Sequence, residues 1–423
     1  MSSDSKQVPF QDQYKLFAGF DWASDHHDVV AVKASGQIQI ELTFDDTAEG
    51  WACLRQKLLD HVGPDLSQVA VAVETRNGPA VERLLELGCR VYPINPKVAQ
   101  RYRERKSVSG AKCDLLDAWS FGDALRTDGH AWQGLKSDDP LTQELRILCR
   151  DEVGLIEQRT AFVCQLRQAL HEYYPAALET FDDWTSASSW AFVQAFPTPQ
   201  DLVKAGKRRW EKFLHVHRLA RPATYQQRLD RCAQADRFCG PPAVTKAKSR
   251  LALALVAQLR TLEKQLQQYR QAIEALFAEH PDHDVFGSLP GAGPKLAPRL
   301  LGEFGQDRDR FPDPQAIQCY SGTAPVTQES GKTRHVHMRR ACSMLLRSTV
   351  HLWANLSRKQ CAWAEAYYQH KRTQNMSHAC ALRCLGQRWL KILWKMWHTR
   401  TPYNEALHTR NQVKHGSWVV QLG

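Results

Sequence analysis

The sequence predicts an α/β domain with a mixed sheet, followed by long helices and a mostly helical C-terminal domain. Short apolar runs at residues 16–20, 29–32 and 69–73 are typical of buried strands. Apolar residues at 255–276 recur every three or four positions, which is typical of a long helix. The length of 423 residues is sufficient for two or three domains, each with its own core.

The N-terminal segments alternate between strand and helix patterns. Residues 38–44 alternate between apolar and polar, and a turn at 34–36 joins them to the strand at 29–32, so we expect an antiparallel hairpin. The other predicted elements are helices at 48–62, 79–87, 96–105 and 114–126 and strands at 69–73 and 89–94. This order is that of the RNase H-like, or RuvC-like, domain. Periodicity alone does not distinguish it from other α/β domains, but the positions of the acidic residues described below do. We place the domain at residues 15–130, after a disordered arm at residues 1–14.

Four acidic residues stand at the ends of these predicted elements. Asp21 ends the first strand, Glu74 ends the strand at 69–73, and Asp114 and Asp117 begin the last helix. Residues three apart on a helix share one face, so the two helical aspartates lie together. Four carboxylates delivered in this way can hold two Mg²⁺ ions for phosphodiester chemistry.

Each acid also has a plainer interpretation when it is taken alone. Asp114 and Asp117 are compatible with a solvated helix face, and Glu74 is compatible with an ion pair to Arg76. Residues 25–28, Asp-His-His-Asp, are expected to form a turn rather than to bind metal, although His27 or Asp28 could lie behind the ligands and support them. The metal-site hypothesis therefore depends on all four acids occurring in the expected order.

The central region, residues 141–280, is predicted to form coiled-coil helices. It follows a polar linker at about 127–142, and residues 145–173 predict one long helix. A second helix carries apolar residues at spacings of four and three: Leu255, Leu259, Leu262, Leu266, Tyr269, Ile273 and Leu276. This seam needs either the first helix or a second subunit as its partner, and we favour an antiparallel hairpin that also dimerises. An irregular insert is expected at 177–244.

The C-terminal region is predicted to be a mostly helical domain at residues 281–405 with a tail at 406–423. Its clearest helical patterns cover residues 341–369 and 377–399.

The composition favours a cytosolic nucleic-acid-binding protein. The formal net charge is +11 and the isoelectric point is about 9.1, which raises the expectation of a nucleic-acid partner. The 12 cysteines form no CxxC motif, and we expect them to be reduced. No signal sequence or membrane span is predicted, so we expect a cytoplasmic location.

Two groups of basic residues are candidate phosphate contacts. The first group precedes the acid pair in sequence: Lys97, Arg101, Arg103, Arg105, Lys106 and Lys112. The second follows a Ser-Gly pair: Lys332, Arg334, Arg339 and Arg340. A solvated helix face is the alternative interpretation of the first group.

Ser330 is a second candidate for chemistry, since it precedes the second basic group. A serine attacks phosphorus well only if its proton is removed and cations neutralise the phosphate. The basic residues meet the second need, while His335, His337 or a metal held by the acids could meet the first. Taken alone, a Ser-Gly pair is more often a turn.

Two sets of motifs resemble the DEDD-type transposases of bacterial insertion sequences, the IS110 family. The first set is GFD at 19–21, VE at 73–74, NP at 95–96 and KxDxxDA at 112–118. The second set is LPGAG at 289–293, Phe311, YSGxAP at 320–325, ESGK at 329–332 and PY at 402–403. The match covers most of residues 16–403, apart from the insert at 177–244.

The resemblance implies more than the residues alone. It implies that Asp21, Glu74, Asp114 and Asp117 bind Mg²⁺ and that Ser330 is the nucleophile that joins the protein to DNA. It also implies composite sites in an oligomer, a dimer or tetramer, and a structured guide RNA that pairs with donor and target DNA. Ser321 stands where the family usually has a small apolar residue, so it competes with Ser330 as the nucleophile.

Two other functions fit parts of the sequence. A RuvC-like junction endonuclease would hydrolyse DNA with water and leave free ends without a covalent adduct. A nucleic-acid-binding protein without catalysis would bind equally well with and without Mg²⁺.

Overall fold

A computed structural model describes residues 9–76, 78–106 and 113–416. The chain forms two compact units. Unit 1 comprises residues up to Asp139 together with Gln306–Pro312, and unit 2 comprises Pro140–Gly305 together with residues from Asp313 onward.

Unit 1 contains a five-stranded sheet and four helices among its described residues. The strands are β1 (Leu16–Trp22), β2 (His26–Val32), β3 (Ile38–Asp45), β4 (Val69–Val73) and β5 (Arg90–Pro93). The helices are α1 (Ala48–Val62), α2 (Pro79–Glu86), α3 (Pro96–Lys106) and α4 (Asp114–Asp128). These elements confirm the predicted mixed-sheet domain, which is consistent with an RNase H-like fold.

The sheet has the order β3-β2-β1-β4-β5 and separates two apolar layers. The first three strands are antiparallel neighbours, and β1, β4 and β5 run parallel. Successive side chains of a strand point to opposite faces. In β1, Leu16, Ala18 and Phe20 therefore join the core under α1 and α2, while Phe17 joins the core under α3 and α4.

Helix α4 packs directly on β1 because two glycines remove side chains from the contact. A methyl group added to Gly19 would lie 1.8 Å from the Ala118 carbonyl oxygen. A methyl group added to Gly122 would lie 2.9 Å from the Gly19 backbone nitrogen. No ordinary side chain fits in these spaces, so the backbones of β1 and α4 lie closer together than larger residues would allow.

Residues 9–14, which were predicted to belong to a disordered arm, are ordered and packed. Phe10–Asp12 forms a short 3-10 helix. The rings of Phe10 and Tyr14 contact Phe17 and Tyr92, and the Tyr14 and Tyr92 hydroxyls lie 2.7 Å apart. Phe10 and Tyr14, which lie six and two positions before the first strand, thus extend the core beneath α4.

A short segment from far along the chain completes unit 1. Lys136 forms ion pairs with Asp309, at 2.8 Å, and Asp307, at 3.3 Å. The Asp138 carboxylate accepts a hydrogen bond of 2.9 Å from the Gln306 backbone N–H. The predicted C-terminal domain at 281–405 therefore contributes one segment to the N-terminal unit.

Unit 2 is almost entirely helical. Its helices are α5 (Pro140–Tyr173), α6 (Pro175–Thr180), α7 (Ala187–Ala195), α8 (Pro199–Val216), α9 (Pro222–Ala233), α10 (Pro242–Glu279), α11 (His283–Gly287), α12 (Gly293–Phe304), α13 (Pro314–Tyr320), α14 (Met344–Ser357), α15 (Ala362–Thr373), α16 (His378–Thr399) and α17 (Glu405–Lys414). Its strands are β6 (Val326–Ser330) and β7 (Thr333–His337).

Helices α5 and α10 form a long antiparallel pair within the chain. Ion pairs join Arg159 to Glu263 at 2.8 Å and Lys248 to Glu172 at 2.7 Å, so residue numbers rise along one helix as they fall along the other. Five of the seven residues of the predicted seam are buried: Leu255, Leu259, Leu262, Leu266 and Ile273. Pairing within the chain thus covers most of the seam. Coiled-coil supercoiling and dimerisation stay predictions.

The insert at 177–244 is not irregular, because four short helices, α6 to α9, form there or at its edge. Their core is aromatic and includes Trp184, Trp190 and Trp210, each at most 3% exposed. This core packs on the end of the α5–α10 pair that contains Tyr173. The helices are too short, and too often interrupted by Pro and Gly, to give a strong periodic signal.

Three details of the C-terminal region differ from prediction. Residues 341–369 form two helices, α14 and α15, rather than one. Residues 326–337 form the β6–β7 hairpin, which was not predicted. Part of the predicted tail is helix α17, while residues 417–423 lie outside the described residues. Within the described ranges, no helix combines the length and apolar composition that crossing a membrane requires.

Candidate metal centre and serine hairpin

Alternation along the strands brings the acids to one face of the sheet. Asp21 follows Phe17 and Gly19 on the face covered by α4, and Glu74 follows Ala70 and Ala72 on the same face. Because β1 and β4 are parallel neighbours, both acids reach the same edge of the sheet.

Helix α4 begins at that edge. Asp114 is its first residue, and Asp117 stands three positions later and is 6% exposed. The close contact between Gly19 and Ala118 fixes the first turn of α4 beside the end of β1. Three carboxylates, those of Asp21, Asp114 and Asp117, thereby place oxygens within 4.8 Å of one another. Glu74 is exposed and lies outside this group.

The charges of the acids affect one another. Burial, followed by the charges of Asp117, Glu74, Asp114 and Asp28, raises the pKa of Asp21 from 3.8 to about 6. Each of these carboxylates disfavours ionisation of Asp21, so the site carries an excess of negative charge. A bound cation would relieve this repulsion.

Arg103 offsets part of that charge. Its guanidinium contacts both carboxylate oxygens of Asp117 at 2.5 Å. Arg105 lies 3.7 Å from Asp123, which also pairs with Arg126 at 2.6 Å. Thus Arg103, predicted to contact phosphate, binds an acid of the site in this structure.

The other residues of the first basic group are placed differently. Lys97 and Arg101 are exposed on α3 and could reach a phosphate. Lys112 lies outside the described residues, as does the side chain of Lys106.

The donor set of the acid group fits a hard divalent cation. All of its donors are carboxylate oxygens, which are the ligands that Mg²⁺ prefers. Among the described residues, neither Asp21 nor Asp114 has a cationic side chain at ion-pair distance. Asp21, Asp114 and Asp117 are therefore the residues that would hold a metal.

Strand β2 adds the side chains of His26 and Asp28 to this face. The sequence analysis did not assign either of them as a metal ligand. Asp28 lies opposite Asp21 in the β1–β2 register and is 5% exposed. The expected turn at 25–28 is wrong, because β2 begins at His26 and pairs with β1 and β3 from its start. His26 and Asp28 lie six and four positions before the buried Val32, so alternation along β2 places all three side chains on one face of the sheet. This alternation would have identified both residues from the sequence.

Ser330 lies at the tip of the β6–β7 hairpin in unit 2. It pairs with Thr333 across a two-residue turn in which Gly331 has φ of +57°. Residues 327–338 are all exposed. The Ser330 hydroxyl is therefore presented to solvent, with Lys332 in the turn and Arg334 in the adjoining strand β7.

The residues around Ser330 supply positive charge but no established base. Arg334 forms an exposed ion pair of 3.0 Å with Glu329. The rings of His335 and His337 stack with their centroids 6.1 Å apart. Arg340 is exposed, whereas Arg339 is half-buried and its Nε contacts the Ala324 carbonyl oxygen at 3.4 Å.

Ser321 has a different environment from Ser330. Its side chain is fully buried, with 0% exposure. Its hydroxyl donates to the Gln318 carbonyl oxygen at 3.0 Å and lies 3.0 Å from the Thr323 hydroxyl. A DNA phosphate cannot reach this oxygen unless the end of α13 unfolds.

Comparison with known proteins identifies both halves of the chain. A transposase family of the IS110 DEDD type matches residues 18–175, and the Transposase IS116/IS110/IS902 family matches residues 283–369. A Streptomyces coelicolor protein named as a mini-circle transposase for IS117 is 32% identical over 403 residues, covering 94% of this chain and 97% of that protein. The chain belongs to the IS110 family of transposases.

Two further relatives come from insertion elements of the same kind. The IS110 uncharacterized 43.6 kDa protein of Streptomyces coelicolor is 27% identical over 326 residues, covering 76% of this chain and 79% of that protein. The IS900 uncharacterized 42 kDa protein of Mycobacterium paratuberculosis is 26% identical over 303 residues, covering 70% and 74%. As an IS110-family transposase, this chain acts on DNA, and the family activity implies phosphoryl transfer.

The family matches also divide the described structure in a useful way. The acid group lies in the first matched segment and the serine hairpin in the second. Most of the aromatic insert lies between them, outside both matches. The two candidate chemical groups of this transposase therefore belong to different compact units of the chain.

Proposed function

We propose that this transposase cuts and rejoins DNA through attack by Ser330, assisted by Mg²⁺ held at Asp21, Asp114 and Asp117. The observation that carries the proposal is the convergence of three carboxylates at one edge of the sheet. Glu74 follows β4 and lies outside this carboxylate group, and we assign it to the acid set because its charge helps to raise the pKa of Asp21. When bound, the metal would polarise the phosphate and lower the pKa of a coordinated hydroxyl.

The residues of the chain have separate roles in this proposal. Ser330 Oγ attacks the phosphorus, a DNA hydroxyl leaves with a proton, and one phosphate ester replaces another. The ester energy is conserved in the serine link, so a second DNA hydroxyl can later displace Ser330 and rejoin the strand. Lys332, Arg334 and Arg340 would neutralise the phosphate during both steps.

The exposure of the two serines supports Ser330 as the nucleophile. Ser330 is presented at the tip of a hairpin, whereas Ser321 is buried and bonded to Gln318. A nucleophile that must meet a DNA backbone requires an accessible oxygen. Ser321 instead has the contacts of a helix-terminating residue.

We further propose that a structured guide RNA directs the enzyme and that it acts as an oligomer. The net charge of +11 supports a nucleic-acid partner, and the phosphates of RNA satisfy this charge as well as those of DNA do. Tyr269 and Leu276 of the α5–α10 seam are only half-buried within the chain, and their exposed parts support self-association through that helix pair. Arg103 is assigned to the acid site rather than to direct phosphate contact.

A covalent-adduct assay tests the serine. Purified protein, the RNA transcribed beside its gene and DNA containing the element ends are incubated with Mg²⁺, denatured and separated by size. We expect a protein–DNA adduct that Ser330→Ala abolishes and Ser321→Ala, the matched control, retains. An adduct that survives Ser330→Ala rules out Ser330 as the nucleophile.

The same assay separates the proposal from simple hydrolysis. If the wild-type protein produces free DNA ends and no adduct, it is a junction endonuclease that uses water. Omitting the RNA tests guidance, since cutting that is equally fast and equally specific without RNA contradicts it.

Sedimentation of the protein with and without nucleic acid tests the oligomer, and a monomer in both conditions contradicts it.

A further inference from the structure

We propose that His26, Asp28 and Asp114 form a second cation subsite, which takes a borderline transition-metal ion such as Mn²⁺ in preference to Mg²⁺. It adjoins the subsite of Asp21 and Asp117 and shares Asp114 with it. The inference rests on the metal-binding role proposed above.

The spacing of the donor atoms fits a shared ion. One donor atom from each of His26, Asp28 and Asp114 lies within 4.8 Å of the others. His26 Nε2 is 3.7 Å from Asp28 Oδ2, which exceeds the length of a good hydrogen bond, about 2.7–3.2 Å. Two ligands that each lie about 2.1 Å from one ion are separated by about 3–4.2 Å, depending on their angle. The gap therefore suits an intervening ion better than a direct bond.

A residue outside the donor group orients the histidine. Asp25 Oδ1 lies 3.0 Å from His26 Nδ1 and also accepts the His26 backbone N–H at 3.1 Å. Metal-binding histidines usually donate their second ring N–H to a carboxylate or carbonyl, which fixes the tautomer. With the proton on Nδ1, the lone pair of Nε2 faces the Asp28 side of the site. A plain cluster of acids would not contain this carboxylate–imidazole arrangement.

The buried carboxylate is held in place as well. Asp28 is 5% exposed and accepts a hydrogen bond from the Thr43 hydroxyl through Oδ1, so Oδ2 is the oxygen nearest His26. The antiparallel register opposes Asp28 to Asp21 on one side and Thr43 on the other. Sheet pairing therefore fixes this ligand without help from a loop.

The histidine also determines the class of ion. Mg²⁺ strongly prefers oxygen ligands, whereas Mn²⁺, Co²⁺ and Zn²⁺ accept imidazole nitrogen. The oxygen-only group at Asp21 and Asp117 should accept Mg²⁺ or Mn²⁺ alike. The His26 subsite should discriminate, so the two subsites of one centre would differ in metal preference.

Mn²⁺ binding to the full-length, metal-free protein tests the proposal by electron paramagnetic resonance and spin-echo modulation. We expect imidazole nitrogen coupling to bound Mn²⁺, and we expect His26→Ala to abolish it and remove one ion. Mn²⁺ affinity at that subsite should fall about tenfold or more, with Mg²⁺ affinity changed less than about twofold. His61→Ala, at an exposed histidine of α1, is the matched control and should change nothing.

The outcomes separate this inference from the proposed function. If Mn²⁺ binds without nitrogen coupling, yet Asp117→Asn still lowers the number of bound ions, the second subsite is refuted and the first stands. If Mn²⁺ does not bind at all, both are refuted. His26→Asn, which keeps a polar side chain of similar reach, guards against misfolding: coupling that persists in this variant also overturns the assignment.

Discussion

The acid group and the serine hairpin belong to one enzyme, but they are supported in opposite ways. Asp21 and Asp117 are held by a five-stranded sheet and by a helix packed on it at backbone distance. Ser330 lies on a two-stranded hairpin whose residues from 327 onward are all exposed. The proposed metal ligands are therefore arranged by the protein core. The serine, in contrast, has no core packed around it among the described residues.

The largest expected effect is on chemistry at the preorganised group. Asp117→Asn removes a charged metal ligand, and we expect DNA cleavage to fall about 10³-fold, equivalent to roughly 4 kcal/mol of transition-state stabilisation. Rates of cleavage of end-containing DNA measure this. Asp123→Asn, a buried carboxylate on the same helix outside the acid group, is the control. Equal losses in both variants would show a structural effect rather than a loss of metal.

Gly19→Ala should damage the same region through packing. The new methyl group would lie 1.8 Å from the Ala118 carbonyl oxygen, so β1 and α4 must separate. We expect a loss of about 3 kcal/mol in the free energy of unfolding. Urea titration monitored by circular dichroism measures this. A variant as stable as the wild type would show that the contact between β1 and α4 is not rigid.

The pH dependence of metal binding should reflect Asp21. Its pKa of about 6 lies above the ordinary 3.8, so the metal-free native state holds this proton more tightly than the unfolded chain does. Stability of the metal-free protein should therefore fall as pH rises from about 4 to about 6. Metal affinity should change in the opposite direction, because binding requires the ionised carboxylate.

Calorimetric titration with Mg²⁺ measures that change. We expect affinity to be about tenfold weaker at pH 5 than at pH 7. Asp21→Asn should bind more weakly at both values and lose this component of the pH dependence. A wild-type affinity that does not vary over this range would contradict the charge repulsion described at the site.

Gly331→Ala is the counterpart of Gly19→Ala and should have the smallest effect on the fold. Nothing lies within 4 Å of the added methyl group, so the cost comes only from a φ of +57°. We expect a local cost of about 1 kcal/mol, confined to the hairpin and barely visible in global unfolding. Hydrogen exchange of the hairpin amides measures it. Global destabilisation as large as that of Gly19→Ala would remove the contrast between the two regions.

The preorganised region is also the one that the sequence predicts well. The strands at 16–20 and 69–73 are continuous apolar runs because both of their faces are covered, and their acids come at the points where the runs end. Alternation then places those acids on one face. The helix boundaries at 48–62 and 79–87 agree within one residue, since Thr47 caps α1 and Pro79 begins α2.

The serine hairpin, the Arg103–Asp117 ion pair and the packing of Phe10 cannot be predicted from a sequence pattern. The strands of the hairpin have no buried face. Apolar and polar residues therefore do not alternate between Thr327 and His337, and the sequence does not indicate strands there. The pairing of Arg103 with Asp117 depends on how α3 meets α4, which residue spacing does not specify. The position of Phe10 depends on Tyr92, which is 82 residues away.

The α5–α10 pair also forms a rod of fixed length within unit 2. A helix of 34 residues spans about 50 Å, which equals the length of about 15 base pairs of duplex. The aromatic insert packs at one end of this rod, and Arg146 and Arg150 bind α12 at the other. Deleting seven residues from each helix would shorten the rod by about 10 Å with little rotation of one end against the other. Its length is therefore a quantity that can be edited to ask how far apart along a nucleic acid these two ends must act.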